Sequence, residues 1–149
     1  MKRALPILIA AARSGRDQQS ARLARARQAL AHAGTTMARL QEFRAGYLAR
    51  SAASTLRGSD AAALQDYQHF IDRLDEAIAL QAREMRGREA DAAQEELALL
   101  QRQKRLLAFE ALLQRQVDAA AAQAHRREQR EADEFAASAG ARRAREAMI

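Results

Sequence analysis

The 149 residues include no cysteine, no tryptophan and a single proline, Pro6. Without cysteine there is no disulfide framework, thiol nucleophile or thiolate-bound zinc. Aromatic residues make up 4% of the chain, too few to fill a large core. β-branched residues are scarce, with one valine and three threonines, which excludes a β-rich or α/β fold. No run of about 18 apolar residues exists to span a membrane. There is also no glycine-rich phosphate loop, no His-Glu-x-x-His and no Gly-x-Ser-x-Gly. His32, His69 and His125 are far apart in sequence, so convergence on a metal is not expected. The adjacent carboxylates Glu95-Glu96 and Asp133-Glu134 point about 100° apart on a helix and read as solvated faces, not catalytic dyads. The expectation is a binding protein: no enzyme, no cofactor, no metal.

What is present is helix. The chain holds 39 alanines, and Ala, Arg, Gln, Glu and Leu are the strongest helix formers. Alanine buries little area, so burial must come from a narrow seam between helices. The start, MKRALPILIAAARSG, imitates a secretory signal. Its apolar part is short and interrupted by Pro6, and it reads instead as a helix start with proline in the first turn.

Arg57-Gly58-Ser59-Asp60 breaks two long helical patterns. Gly58 suits a left-handed C-terminal cap, and Ser59 or Asp60 suits the N-cap that follows. Before the break, one seam position reads Ile9, Arg16, Leu23, Leu30, Met37, Arg44, and the other Leu5, Ala12, Gln19, Ala26, Ala33, Leu40, Tyr47. After it, Leu64, Tyr67, Ile71, Leu74, Ile78 and Met85 keep three-four spacing. The seam then dilutes at Ala92 and Ala93. It resumes with a shifted phase at Leu97, Leu100, Leu107, Leu113 and Val117, which predicts a coiled coil with a discontinuity. A short break between long helices predicts an antiparallel hairpin. Helix one is expected over about 4–57, the turn at 58–59 and helix two over about 60–147, with 118–149 an unpaired helical extension. The expected shape is a rod, its first helix about 75 Å long at about 1.5 Å per residue.

Net charge is +6, and 23 of the 25 cations are arginine. Residues 1–58 carry net +9 and residues 59–124 net −4, the pattern of two helices attracted to each other.

Two features stand out on this frame. Four of the six aromatic side chains lie between 43 and 70. Phe43, Tyr47, Phe70 and Leu74 are expected to cluster near the turn, either as a protein-contact patch or simply zipping the helices together there. Phe135 stands alone in a charged tail.

The segment Tyr67–Ile78, YQHFIDRLDEAI, resembles the characteristic stretch of the flagellar FliJ family. The spacing back to Phe43 and Tyr47 fits that family's paired aromatics, and Asp133-Glu134-Phe135-Ala136 followed by Arg142-Arg143 is similar to its C-terminal motif. The resemblance implies an all-α antiparallel coiled-coil hairpin, similar to the stalk of rotary ATPases. It implies a cytoplasmic protein, peripheral at the cytoplasmic face of the inner membrane through its partners. Its termini would enter the hexameric flagellar export ATPase. Its hairpin end would contact the cytoplasmic domain of the export gate, and it would bind empty export chaperones in support of motility and chemotaxis. Gate-contact positions implied by the resemblance are Phe43, Tyr47, Phe70, Leu74, Ala77 and Gln81. Phe43 stands where a tyrosine is usual and Gln81 where a histidine can occur. Candidates for the ATPase end are Phe135, Arg126, Arg127, Arg130, Arg142, Arg143 and Arg145. Two alternatives stand beside this: the equivalent stalk of a virulence secretion system, and a basic coiled coil that binds nucleic acid. The second is disfavoured because residues 59–149 carry 14 cations against 17 anions.

Overall fold

A computed structural model describes residues 4–56, 58 and 60–148. It contains two α-helices packed against each other and, among the described residues, no strand. Helix α1 runs Ala4–Leu56 and α2 runs Ala61–Ala147. Pro6 lies in the first turn of α1, where its missing N–H costs nothing. Past the end of α1, Gly58 adopts φ 86°, the left-handed conformation expected of a glycine cap. Asp60 caps α2: its side-chain Oδ1 accepts from the Ala63 N–H at 2.8 Å, and its carbonyl accepts from the Leu64 N–H at 3.3 Å. Ser59, the other cap candidate, lies outside the described residues.

The chain divides into two compact units, one made of Met1–Arg13 with Lys104–Ile149 and the other of Ser14–Gln103. The first unit has a small core of Leu5, Ile9 and Leu106, with Ala12, Phe109 and Leu113 packed against it. Arg13 pairs with Glu110 at 3.3 Å, and the Arg105 guanidinium lies 5.7 Å from the Phe109 ring centre. From residue 114 to 148 every residue is exposed except the half-buried Ala139, and the helix nevertheless continues to Ala147. With so little buried, helix propensity in this alanine-rich stretch carries the conformation.

In the second unit the buried residues are Leu23, Ala33, Ile71, Leu74 and Gln19. The helices run antiparallel, as the pairs Gln19–Glu95, Ala33–Gln81 and Tyr47–Tyr67 establish. Every α1 seam position named from the sequence is buried or half-buried.

The α2 seam needs two corrections. Leu64, expected in it, is 44% exposed, and the phase of the seam beyond Met85 does not shift. Three-four spacing continues from Met85 through Ala92, Glu95, Leu99, Leu106 and Phe109 to Leu113, all buried or half-buried. Leu97, Leu100, Leu107 and Val117, expected in the seam, are 62%, 46%, 63% and 54% exposed. The sequence pattern misleads because Glu95 occupies a seam position where a leucine would be expected. The partner Gln19 satisfies it, so the polar pair holds the phase and the leucines fall outside.

Candidate functional site

Heptad geometry sets what the second unit shows to solvent. Positions that flank the seam lie half in contact with the opposite helix and half in water. Phe43 on α1 and Phe70 on α2 both occupy such positions. Their rings meet edge to face at 6.1 Å. Tyr47 bridges them to the seam: its ring centre is 4.4 Å from Phe70 and 5.4 Å from Tyr67, nearly parallel to the latter at 12°. These are favourable aromatic geometries. The expected cluster therefore forms, with Tyr67 as its fourth ring in place of Leu74, which faces the core at 8% exposure.

The six residues singled out for gate contact divide by accessibility. Phe43 is 50% exposed. Tyr47, Phe70, Ala77 and Gln81 are half-buried, and Leu74 is buried. Gln81 turns its amide inward and donates to the Ala33 carbonyl at 2.9 Å. In place of a titratable group it supplies a neutral clasp between the helices.

Beside the cluster, Arg44 bridges to Asp75, Nε to Oδ1 at 2.6 Å and Nη2 to Oδ2 at 3.4 Å. The hydrogen bond and then the charge of Asp75 raise the Arg44 pKa above its ordinary value. The two-pronged contact fixes the α1–α2 register where the aromatics need it.

An open trough of about 840 Å³ runs between the helices next to the aromatic cluster, lined by Ala29, His32, Leu40, Ala77, Leu80 and Gln81 among others. A smaller one of about 300 Å³ is lined by Arg39, Glu42, Phe43, Gly46 and Arg50. The sequence reading does not anticipate the larger trough. Its signal is alanine at two positions of the same flank, Ala29 on α1 and Ala77 on α2, at different levels along the pair, where longer side chains would narrow the gap.

The tail candidates, which belong to the other unit, form no site of their own. Phe135 is 77% exposed. Arg126, Arg127, Arg130, Arg142, Arg143 and Arg145 are all exposed and make no ion pair among the described residues.

Among the described residues no group of three His, Asp or Glu side chains is placed to hold a metal. Among the described residues no helix is long and apolar enough to cross a membrane.

The family model described as "Flagellar FliJ protein" matches residues 1–145 of the 149. No curated protein and no solved structure matches.

Proposed function

Because the chain belongs to the FliJ family and is thereby a flagellar type III export-associated protein, we propose that it is the stalk linking the hexameric export ATPase to the export gate, and that it escorts empty export chaperones. The aromatic cluster carries this reading. Phe43, Tyr47, Tyr67 and Phe70 bring four rings together at a solvent-facing flank. Large aromatic anchors dominate protein interfaces. The proposed gate contacts are Phe43, Tyr47, Phe70, Ala77 and Gln81, with Leu74 supporting them from beneath.

The ATPase contacts are assigned to the extension after Val117, through Phe135 and the arginines at 126, 127, 130, 142, 143 and 145. None of their guanidinium groups is in an ion pair among the described residues, although Arg126 donates to the Ala122 carbonyl at 3.4 Å, and all are exposed to meet carboxylates on a partner. The protein itself catalyses nothing in this scheme and works on the cytoplasmic side of the inner membrane, held there by its partners.

The test is a pull-down with the export ATPase and the gate's cytoplasmic domain, using the intact chain and one truncated after Val117. The intact chain is expected to retrieve both, and the truncated chain to retrieve the gate domain alone. An intact chain that retrieves neither overturns the assignment.

A further inference from the structure

In the Ser14–Gln103 unit α1 is basic and α2 acidic. From Ser14 to Leu56 there are seven arginines against two acids, whereas Ala61–Gln103 carries five arginines against nine acids. The seven arginines of α1 divide into two sets. Arg16, Arg27 and Arg44 are held by Asp17, Glu96 and Asp75. Arg22, Arg25, Arg39 and Arg50 are exposed, and among the described residues none of them makes an ion pair.

This second set shares one face. Three-four spacing carries positions 22, 25, 29, 32, 36, 39, 43, 46 and 50 along a single stripe of α1. The stripe contains no acid. Between the arginines it holds Ala29, His32, Thr36 and Gly46, and its one large apolar side chain is Phe43, 50% exposed. Arg39, Phe43, Gly46 and Arg50 line an open hollow of about 300 Å³ together with Glu42. On the neighbouring flank of α2 the acids are Asp91 and Glu84, and Glu84 is engaged by Arg88 at 2.9 Å.

The spacing of the four cations selects the anion that fits. Arg22 to Arg50 spans about 42 Å at about 1.5 Å per residue, with gaps of roughly 21 Å before Arg39 and roughly 16 Å after it. A single phosphate or nucleotide reaches one of these arginines, or the Arg22–Arg25 pair, and leaves the rest idle. A nucleic-acid duplex is long enough, but it fixes one charge per about 1.7 Å of axis, of which four distant cations engage a small part. The stripe also has no asparagine, glutamine or second aromatic to meet bases. A bilayer surface with anionic lipids is flat, extended and laterally fluid, so a headgroup can move to each arginine whatever the gap. Small side chains between the arginines let the helix lie close, and a half-exposed phenylalanine suits the boundary between headgroups and acyl chains.

Independently of the gate and ATPase assignments, we propose that this unit lies directly on an anionic lipid surface through α1. Arg22, Arg25, Arg39 and Arg50 meet lipid phosphates, Phe43 enters the headgroup layer, and the acidic α2 is on the side turned from the surface. Phe43 is shared with the proposed gate contact, so the arginines, which are not, carry the test.

That test is flotation of the intact protein with vesicles. Binding is expected to mixed phosphatidylglycerol and phosphatidylcholine, not to phosphatidylcholine alone, and is expected to fall steeply at about 0.5 M salt. Each arginine near such a surface is worth about fivefold in affinity, so Arg25→Gln with Arg39→Gln is expected to lower partitioning about twentyfold, with unchanged circular dichroism. Arg83→Gln with Arg86→Gln, both exposed on α2, removes the same charge and is expected to change partitioning less than about twofold. In Phe43→Trp the only tryptophan of the chain is expected to shift its emission to the blue on the mixed vesicles. Failure to bind mixed vesicles, or equal binding to phosphatidylcholine, overturns the proposal. Equal losses in the two double variants overturn the stripe, and unmoved emission from bound protein overturns the place of Phe43. Tighter binding to duplex DNA at the same salt, lost in Arg25→Gln with Arg39→Gln, overturns the choice of lipid.

Discussion

Two stretches of the same helical pair spend their seam differently. Around Gly15–Gln19 and Glu95–Arg102 the seam is polar: Gln19, only 3% exposed, donates to the Glu95 carbonyl at 3.1 Å and also to its carboxylate. Around Phe43–Tyr47 and Tyr67–Phe70 it is aromatic, and part of that apolar surface stays in water. A buried hydrogen-bonded pair contributes about 0.5–1.5 kcal/mol net, less than a pair of leucines there would. What it adds is discrimination, because a one-heptad slip would leave both groups unpaired. The polar stretch therefore sets register and is fully satisfied within the chain. The aromatic stretch leaves apolar area in water, at Phe43 above all.

The largest effect in this comparison is expected beneath the aromatic rings. Leu74 is 8% exposed and Ile71 5%. Leu74→Ala should destabilise by about 2–5 kcal/mol, read as a lower urea midpoint. Loss of gate binding in that variant would then report a loosened scaffold. Little change in stability would mean that Leu74 is available for contact and that the cluster is more open than described.

The polar stretch should respond next. Gln19→Ala leaves the Glu95 carboxylate without its partner and should cost about 1–3 kcal/mol. Replacing both by leucine should recover or exceed wild-type stability while relaxing the pairing, seen as added oligomers in light scattering or a broadened distance distribution between spin labels at Ala24 and Ala90. If the double-leucine protein remains a single species with one distance, the polar pair has no role in register.

The α1 seam, the break near Gly58 and the aromatic cluster were legible because they follow from spacing and turn chemistry alone. Ile9, Leu23, Gln19 and Tyr47 all lie where a seven-residue repeat puts them. The phase of α2 beyond Met85 was not. A reader who weights leucine follows Leu97, Leu100 and Leu107 out of the seam, because Glu95 looks like a surface residue until its partner is known. The trough was hidden for a related reason: alanine is so common in this chain that alanines on one flank carry no signal until the register shows which flank it is. The proposed gate contact shows a similar limit. Resemblance assigns Gln81 to the surface, whereas its amide is committed to Ala33.

A smaller effect on stability, but a decisive one for binding, is expected at Phe43. Half exposed, it should tolerate alanine at less than about 1 kcal/mol in stability. Affinity for the gate domain should drop tenfold or more, since truncated aromatic anchors typically cost about 2 kcal/mol or above. Equal losses in stability and binding would show that the ring only joins the helices, and the contrast with the polar stretch would vanish.

The finest test falls on Gly15. A Cβ there would lie 2.6 Å from the Arg102 Nη1, so the missing side chain gives room to a guanidinium crossing the seam. The obstructing atom is the end of a flexible side chain, and Arg102 is exposed, so it can swing into water at little cost. Against that, alanine in place of a mid-helix glycine contributes about 1 kcal/mol. Gly15→Ala should therefore be neutral or slightly stabilising in thermal melts, and Gly15→Leu, which also blocks the path beyond the guanidinium, should be clearly worse. A marked loss in the alanine variant would mean that Arg102 cannot leave, which would make this crossing, with Gln19 and Glu95, part of what fixes the alignment of the two helices.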